Sequence, residues 1–486
     1  MKYGWLAAVL VAVPLVGMLG CPVGPNFIPP PAPAENAYTH RGTPSGTVRA
    51  DGQAQQFEAS APVTADWWKL FRSPEVDARI DAAVRNNPTL QAAQSSLRAS
   101  EDALRAGYGV FFPQVDVTAG ATRERFGLSG VSPTKSTFNL YTLSGSVAYT
   151  LDVFGGERRA IESQEAQAET QRDLTAAAYL TLVGNVVNAT IAEAAYAAEV
   201  DTTRRLIAEE RDQAEITAAQ ARAGTVPYAN VLALEAQLAA TEATLPVLRQ
   251  KLTQTEHLLA ALLGQEPASW ASPRVELSSL SLPGELPLTL PSDLVHRRPD
   301  ILAAEADLHR ASAEIGVATA ALFPSFTLSG SYGWNSTSVT DLIVPESRMW
   351  AIGAGLAAPV FHGGTLWFQR RAAIDTYQQA LGTYRQTVLS GLAQVADLLR
   401  GLQHDAQQVA AQSRQYQAAQ EGLRLTEVNY RAGTIDYLQV LIANAQYEQA
   451  SISYIGGRAQ RLQDTVALFV ALGGGWWNAT AAVLRE

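Results

Sequence analysis

Arg222-Ala223-Gly224-Thr225 recurs as Arg431-Ala432-Gly433-Thr434, and each copy is followed six residues after its threonine by a Val-Leu pair, Val231-Leu232 and Val440-Leu441. The match widens in both directions. Asn87-Pro88 through Phe112-Pro113 aligns without a gap on Arg298-Pro299 through Phe323-Pro324, Val153-Phe154-Gly155-Gly156 answers Val360-Phe361-His362-Gly363-Gly364, and Gly264 answers Gly473. A period of about 210 residues is far too long for a solenoid repeat. The chain therefore reads as a duplicated domain, half of a symmetric object written twice.

Composition narrows the setting. With 486 residues, 47% hydrophobic, the chain is long enough for a large core or several domains. A net charge of -10 without a basic run argues against nucleic acid as a partner. Lys2 precedes an apolar run from Trp5 to Leu19, which ends at Gly20 and the only cysteine, Cys21. Residues 1–20 read as a signal peptide, too short and wrongly flanked for a membrane-spanning helix. Met18-Leu19-Gly20-Cys21 resembles a bacterial lipobox, with Met18 where leucine is usual, and implies a lipidated Cys21 as the mature N-terminus. Pro22 stands where an aspartate would favour retention at the inner membrane, so the outer membrane is the expected address. Residues 21–65, with Pro29-Pro30-Pro31, read as an extended arm.

Each repeat carries a pair of strictly alternating segments, at about 113–126 and 141–154 and at about 325–335 and 349–361. In the first pair Tyr141, Leu143, Val147, Tyr149, Leu151 and Val153 oppose Thr142, Ser144, Ser146, Thr150 and Asp152. Alternation over about 10 to 13 residues is the pattern of an outer-membrane barrel strand. Four such strands cannot close a barrel, which needs about eight, and lipid does not tolerate open edges. The barrel must be shared, with eight strands from a dimer or twelve from a trimer. Loops at about 123–140 and 335–349 are expected to join the hairpins outside the cell.

A proline-free helical stretch follows each hairpin, 157–223 and 365–432. At 1.5 Å per residue each reaches about 100 Å, far beyond the usual helix of a globule. Apolar residues keep the three-four spacing of packed helices, as in Leu180, Val183, Val187, Ile191, Ala194 and Ala198. Gly224 and Gly433 end these helices, and returning helices are expected over 228–264 and 437–472. The first repeat is thus 66–264 and the second 297–473, separated by a proline-bearing linker at 265–296 and followed by a tail at 474–486.

With both hairpins, both Arg-Ala-Gly-Thr turns, Cys21-Pro22-Val23-Gly24-Pro25, Trp67-Trp68 with Phe71, and Arg297-Arg298-Pro299-Asp300 in this order, the chain resembles the TolC family of outer-membrane factors, in its NodT-like lipoprotein branch. The resemblance implies a mainly α fold with a membrane β-barrel: a homotrimer whose twelve-stranded barrel continues into a twelve-helix periplasmic tunnel. It implies a passive exit duct for drug-like molecules, served by an inner-membrane pump and a periplasmic adaptor and embedded in outer-membrane lipid, with no cofactor and no chemical step. The six histidines carry no ligand spacing and no nucleophile motif is present.

By position in the family, the periplasmic gate maps to Asn230, Tyr430, Ile435, Leu438, Gln439 and Ile442, and adaptor docking to Arg222, Gly224, Thr225, Arg431, Gly433 and Thr434. Asn230, Gln439 and Ile442 stand where acids occur in relatives, and Ile435 where an arginine occurs. An apolar constriction at Leu438 and Ile442 is therefore expected in place of an ionic lock. The rival readings are a duct for metal ions or secreted protein, and a non-conducting periplasmic coiled-coil scaffold.

Overall fold

The computed structural model describes residues 22–40, 42–59, 61, 63–126, 136–270 and 273–478, so Cys21, the signal peptide and most of the tail lie outside the described residues. In chain order the elements are β1 (Gln56–Ala59), α1 (Pro74–Asn86), α2 (Pro88–Gly107), β2 (Gln114–Phe126), β3 (Ser136–Leu151), α3 (Gly156–Arg222), α4 (Tyr228–Leu262), β4 (Glu285–Leu288), α5 (Pro291–Val295), α6 (Pro299–Ala320), β5 (Ser325–Ser336), β6 (Arg348–Ala357), α7 (Thr365–Arg431) and α8 (Tyr437–Ala471). They divide into two compact units. One comprises Met1–Pro30, Leu97–Gln171 and Ala303–Arg385; the other comprises Pro31–Ser96, Arg172–Leu302 and Gln386–Glu486.

In the first unit the four predicted strands form one antiparallel sheet in the order β2-β3-β5-β6. Register stacks like with like. Val115, Val147, Gly330 and Ile352 lie in one row across the sheet, and Val117, Gly145, Tyr332 and Trp350 in another. Asp116, Ser146, Ser331 and Ala351 form a row on the opposite face. On the apolar face Val117, Trp350 and Ile352 are 75%, 72% and 83% exposed. Such a face with a polar reverse suits lipid on one side and water on the other. Among the described residues, strands β2 and β6 are paired on one side only, which leaves both edges of the sheet open.

The strand limits differ from those expected, for local reasons. Strand β3 starts at Ser136 and ends at Leu151, so Val153 lies beyond it. Asp152, expected on the polar face of the strand, instead caps α3: its carboxylate oxygens accept the backbone N–H groups of Glu157 and Arg158 at 3.1 Å each. Strand β6 stops at Ala357, short of 361. Pro359 cannot donate to the ladder, and Gly363 and Gly364 take left-handed φ values of 57° and 86° that start α7. The strands reach into the expected loops: β2 and β3 take 123–126 and 136–140, with 127–135 outside the described residues, and β5 and β6 leave only 337–347.

The second unit holds the main core. Trp67 and Phe71 are fully buried with Ile80, Val183, Val187, Ile191, Leu259, Val395, Leu399 and Phe469, and the Trp67 and Phe469 rings stack at 5.2 Å. The helical stripes read from α3 and α7 thus supply the core. A two-stranded parallel pairing of β1 with β4 joins the arm to the linker, although neither strand was expected. At four residues each, they are too short for a period to register. The arm is tied down further where the buried Arg461 donates to Gln55 Oε1 at 3.1 Å and Thr47 Oγ1 at 3.2 Å.

Near that strap Asp405 of α7 faces Asp464 of α8, and burial followed by the Asp464 carboxylate pushes Asp405 up to about 7. A carboxyl raised on folding stabilises the protein while protonated, and that contribution is lost as pH rises through about 7. Asp405→Asn is therefore expected to unfold at a higher temperature than the wild type at pH 8, by about 1 to 2 kcal/mol, and to match it only below about pH 4, where the carboxyl is protonated folded or unfolded. Parallel melting-temperature profiles against pH for the two proteins would contradict this.

Candidate functional site

The two Arg-Ala-Gly-Thr turns lie in the second unit and are built alike. Gly224 and Gly433 have φ of 73° and 71°. A Cβ at either glycine would meet nothing within 4 Å, so the backbone conformation alone calls for glycine there. The Thr225 N–H donates to Gln220 O and the Thr434 N–H to Asn429 O, both at 3.0 Å, while Gly224 donates to Ala221 O and Gly433 to Tyr430 O. This is the six-to-one and five-to-two bonding that closes a helix end. Each threonine hydroxyl adds a second bond to the same carbonyl at 2.9 Å. Arg222, Gly224, Thr225, Arg431, Gly433 and Thr434 are all exposed, forming two matched polar loops.

Behind the loops sits a small apolar plug of Leu234, Tyr437 and Val440, with Ala214, Tyr430 and Leu441 packed on it. Tyr430 belongs to this plug. Its hydroxyl donates to Gln220 Oε1 at 3.0 Å and its ring meets the Tyr437 ring edge-on at 5.1 Å. Tyr430, named as a gate residue, therefore ties the second turn to the first within one chain. Asn230 and Ile435 are half-buried, and the Asn230 N–H is held by Pro227 O at 3.0 Å.

Leu438, Gln439 and Ile442 remain exposed on α8. Leu438 and Ile442 are four positions apart, hence one turn apart on the same side of the helix, and 60% and 51% exposed. On α4, Leu232 is 51% exposed as well. Large aliphatic groups unburied by their own chain at a helix end are available to close an aperture or to meet another copy. Tyr437 and Gln220 were not singled out from the sequence. The spacing of Tyr437 and Val440, three apart beside a glycine-terminated helix, was the signal for an inward-facing pair.

Among the described residues, no group of three or more His, Cys, Asp or Glu is placed to hold a metal ion. The described chain begins at Pro22, against the turn between β3 and α3. The Val23 N–H donates to Phe154 O at 3.0 Å, and a Cβ on Gly155 would come within 2.5 Å of Pro22 Cα.

The family model described as "Outer membrane efflux protein" matches residues 79–265 and 290–474, one match for each repeat. The chain is 29% identical to the pyoverdine export outer membrane protein OpmQ of Pseudomonas aeruginosa, over 86% of this chain and 89% of that protein. It is 28% identical to the outer membrane protein OprJ of the same species, over 99% and 98% of the two chains. Nodulation protein T of Rhizobium leguminosarum bv. viciae is 29% identical over 96% of this chain and 93% of its own. Among solved structures, the outer-membrane channel OprN superposes with a TM-score of 0.84 at 26% identity, covering 94% of this chain and all of that one, 100%. The Campylobacter jejuni CmeC channel shares the fold, with a TM-score of 0.86 over 94% and 95% of the two chains at 18% identity.

Proposed function

This chain belongs to the outer membrane efflux protein family, and from that membership we propose that three copies close its sheet into a twelve-stranded barrel conducting small organic molecules out of the cell. It is an outer-membrane exit duct of an efflux pump and performs no chemical step. The observation that carries a shared barrel is the four-stranded sheet, apolar on one face, with two edges unpaired among the described residues; family membership selects three copies over two. Twelve strands from three copies remove every edge.

The cargo reading follows relatives named for pyoverdine export and toluene efflux, both organic and unlike each other. In this reading selectivity belongs to the inner-membrane pump. The paired loops at Gly224 and Gly433 are the docking surface for a periplasmic adaptor, and Leu438 with Ile442 forms the apolar constriction that docking opens. A diacylglyceryl group on Cys21 would tether the chain beside the membrane end of the sheet, because Pro22 packs against the turn after β3.

The test is a strain lacking this duct, challenged with organic antibiotics, dyes, bile salts and metal salts, with and without the gene restored. Several-fold loss of tolerance to the organic compounds, recovered on restoration, is expected. Sensitivity to metal salts alone would transfer the duct to ion export. Absence of ion conductance by the purified protein in planar bilayers would favour the scaffold.

A further inference from the structure

Some way behind the turns, α3, α4 and α8 meet at Glu210, Thr241 and Asn444. Glu210 is 3% exposed and Thr241 2% exposed. Glu210 Oε1 accepts the Thr241 hydroxyl at 3.2 Å and the Asn444 Nδ2 at 3.3 Å. The other oxygen, Oε2, is buried with no hydrogen-bond partner, and so is the remaining Asn444 atom, Oδ1. Both orphans are acceptors. A buried carboxylate oxygen without a donor has lost its water and gained nothing in return, and an orphaned amide oxygen adds to that cost.

One proton removes both defects. A carboxylic acid opposite a primary amide forms a two-point pair, in which the amide N–H donates to the acid C=O and the acid O–H donates to the amide oxygen. The bond between Nδ2 and Oε1 is the first half of that pair, and the two orphans are the atoms of the second.

The charges around the site point the same way. Burial holds the Glu210 carboxyl above its usual range, and the nearby Glu448 of α8 and Glu209 of α3 add to this. Only neutral donors, Thr241 and Gln237 of α4, oppose the shift. Arg211 is paired with Glu242 of α4 at 2.7 Å, Arg205 acts on Glu209, and Glu427 of α7 adds a further carboxylate beside Glu209. From α8, the Tyr437 phenol is held neutral by burial. Glu448 is itself raised by burial.

We propose that Glu210 is carried as the neutral acid, and that its proton, shared with Asn444, is a latch holding the first turns of α8 against α3 and α4. The latch is complete at acidic pH and is lost as pH rises through the raised value of Glu210, where two buried acceptors and neighbouring carboxylates then repel. Its effect on conduction rests on the duct reading above; the proton itself does not. Rising pH in the periplasm thus loosens the helix ends that close the duct.

Two readouts on the full-length protein separate these statements. Infrared spectroscopy in detergent reads the C=O stretch of a protonated carboxyl, and planar-bilayer recording reads conductance, each from pH 5 to 9. Besides the absorption of Asp405, wild-type protein is expected to show a protonated-carboxyl band near neutral pH that is missing in Glu210→Gln, and a conductance that rises several-fold with pH. Glutamine reproduces the neutral acid, donating to Asn444 Oδ1 and accepting from Nδ2, so Glu210→Gln should fold, conduct little and lose the pH response. Glu448→Gln should move the response to lower pH, because a neighbouring carboxylate that opposes ionisation of Glu210 is gone while burial remains; a response abolished in Glu448→Gln and kept in Glu210→Gln would overturn the latch. A protonated-carboxyl band unchanged in Glu210→Gln, or failure of Glu210→Gln to fold, would overturn the latch. A band that disappears as expected while no variant conducts would overturn the duct and leave the proton assignment standing.

Discussion

Arg79→Met is expected to lower the thermal unfolding midpoint in detergent by about 10 °C, corresponding to about 3 to 5 kcal/mol. Arg79 of α1 and Glu193 of α3 form an ion pair at 2.6 Å with side chains only 2% and 1% exposed. The guanidinium also donates to Thr190 Oγ1 at 3.1 Å and Pro273 O at 2.8 Å, and lies over the Trp270 ring at 5.5 Å. Burial raises the Glu193 carboxyl while Arg79 pulls it back down, with a smaller pull from Arg274, so Arg79 is its main support as a charged group. Removing the arginine leaves an uncompensated charge in the core, which costs far more than the pair itself contributes. The double variant Arg79→Met with Glu193→Leu should recover most of the loss, because apolar side chains of similar volume fill the space without a charge to solvate. A single variant that melts with the wild type would refute the assignment.

Leu438→Ser with Ile442→Ser is expected to raise the resting conductance in planar bilayers on the order of tenfold. If closure buries about half of each side chain, the two serines together remove roughly 1.5 kcal/mol of apolar contact, and a shift of that size changes the open fraction about tenfold. Polar side chains also wet a constriction that aliphatic ones keep dry. Resting conductance unchanged in the double serine variant would remove Leu438 and Ile442 from the gate. Both residues would then be read as packing positions between copies.

Much of the fold was legible because its signals are local and repeated. Gly224 and Gly433 announce helix ends through a bond pattern that spans five residues, and the long stripe from Leu180 to Ile191 announces a buried face. Strand alternation located both hairpins within a few residues. It overran at Asp152 because an aspartate suits a polar strand position and a helix cap equally, and only the N–H groups of Glu157 and Arg158 decide between them. Leu438 and Ile442, expected at the constriction, are exposed aliphatics in the first turns of α8. The tie between Tyr430 and Gln220 was not legible, because the two are 210 positions apart in sequence.

What the sequence by itself determined is the duplicated plan: two hairpins, two long helices, two glycine-terminated turns, and the need for other copies to close the sheet. These follow from periodicity, backbone sterics and the intolerance of lipid for unpaired backbone groups. Only the tertiary structure decided which polar residues are paired in the interior. Arg79 with Glu193, Arg461 with the arm, and Glu210 with Asn444 join positions separated by 114, 406 and 234 residues. No local rule relates such positions. Their pairing is set by which helices pack together, because burial removes water and leaves each polar atom to find its partner across a helix interface.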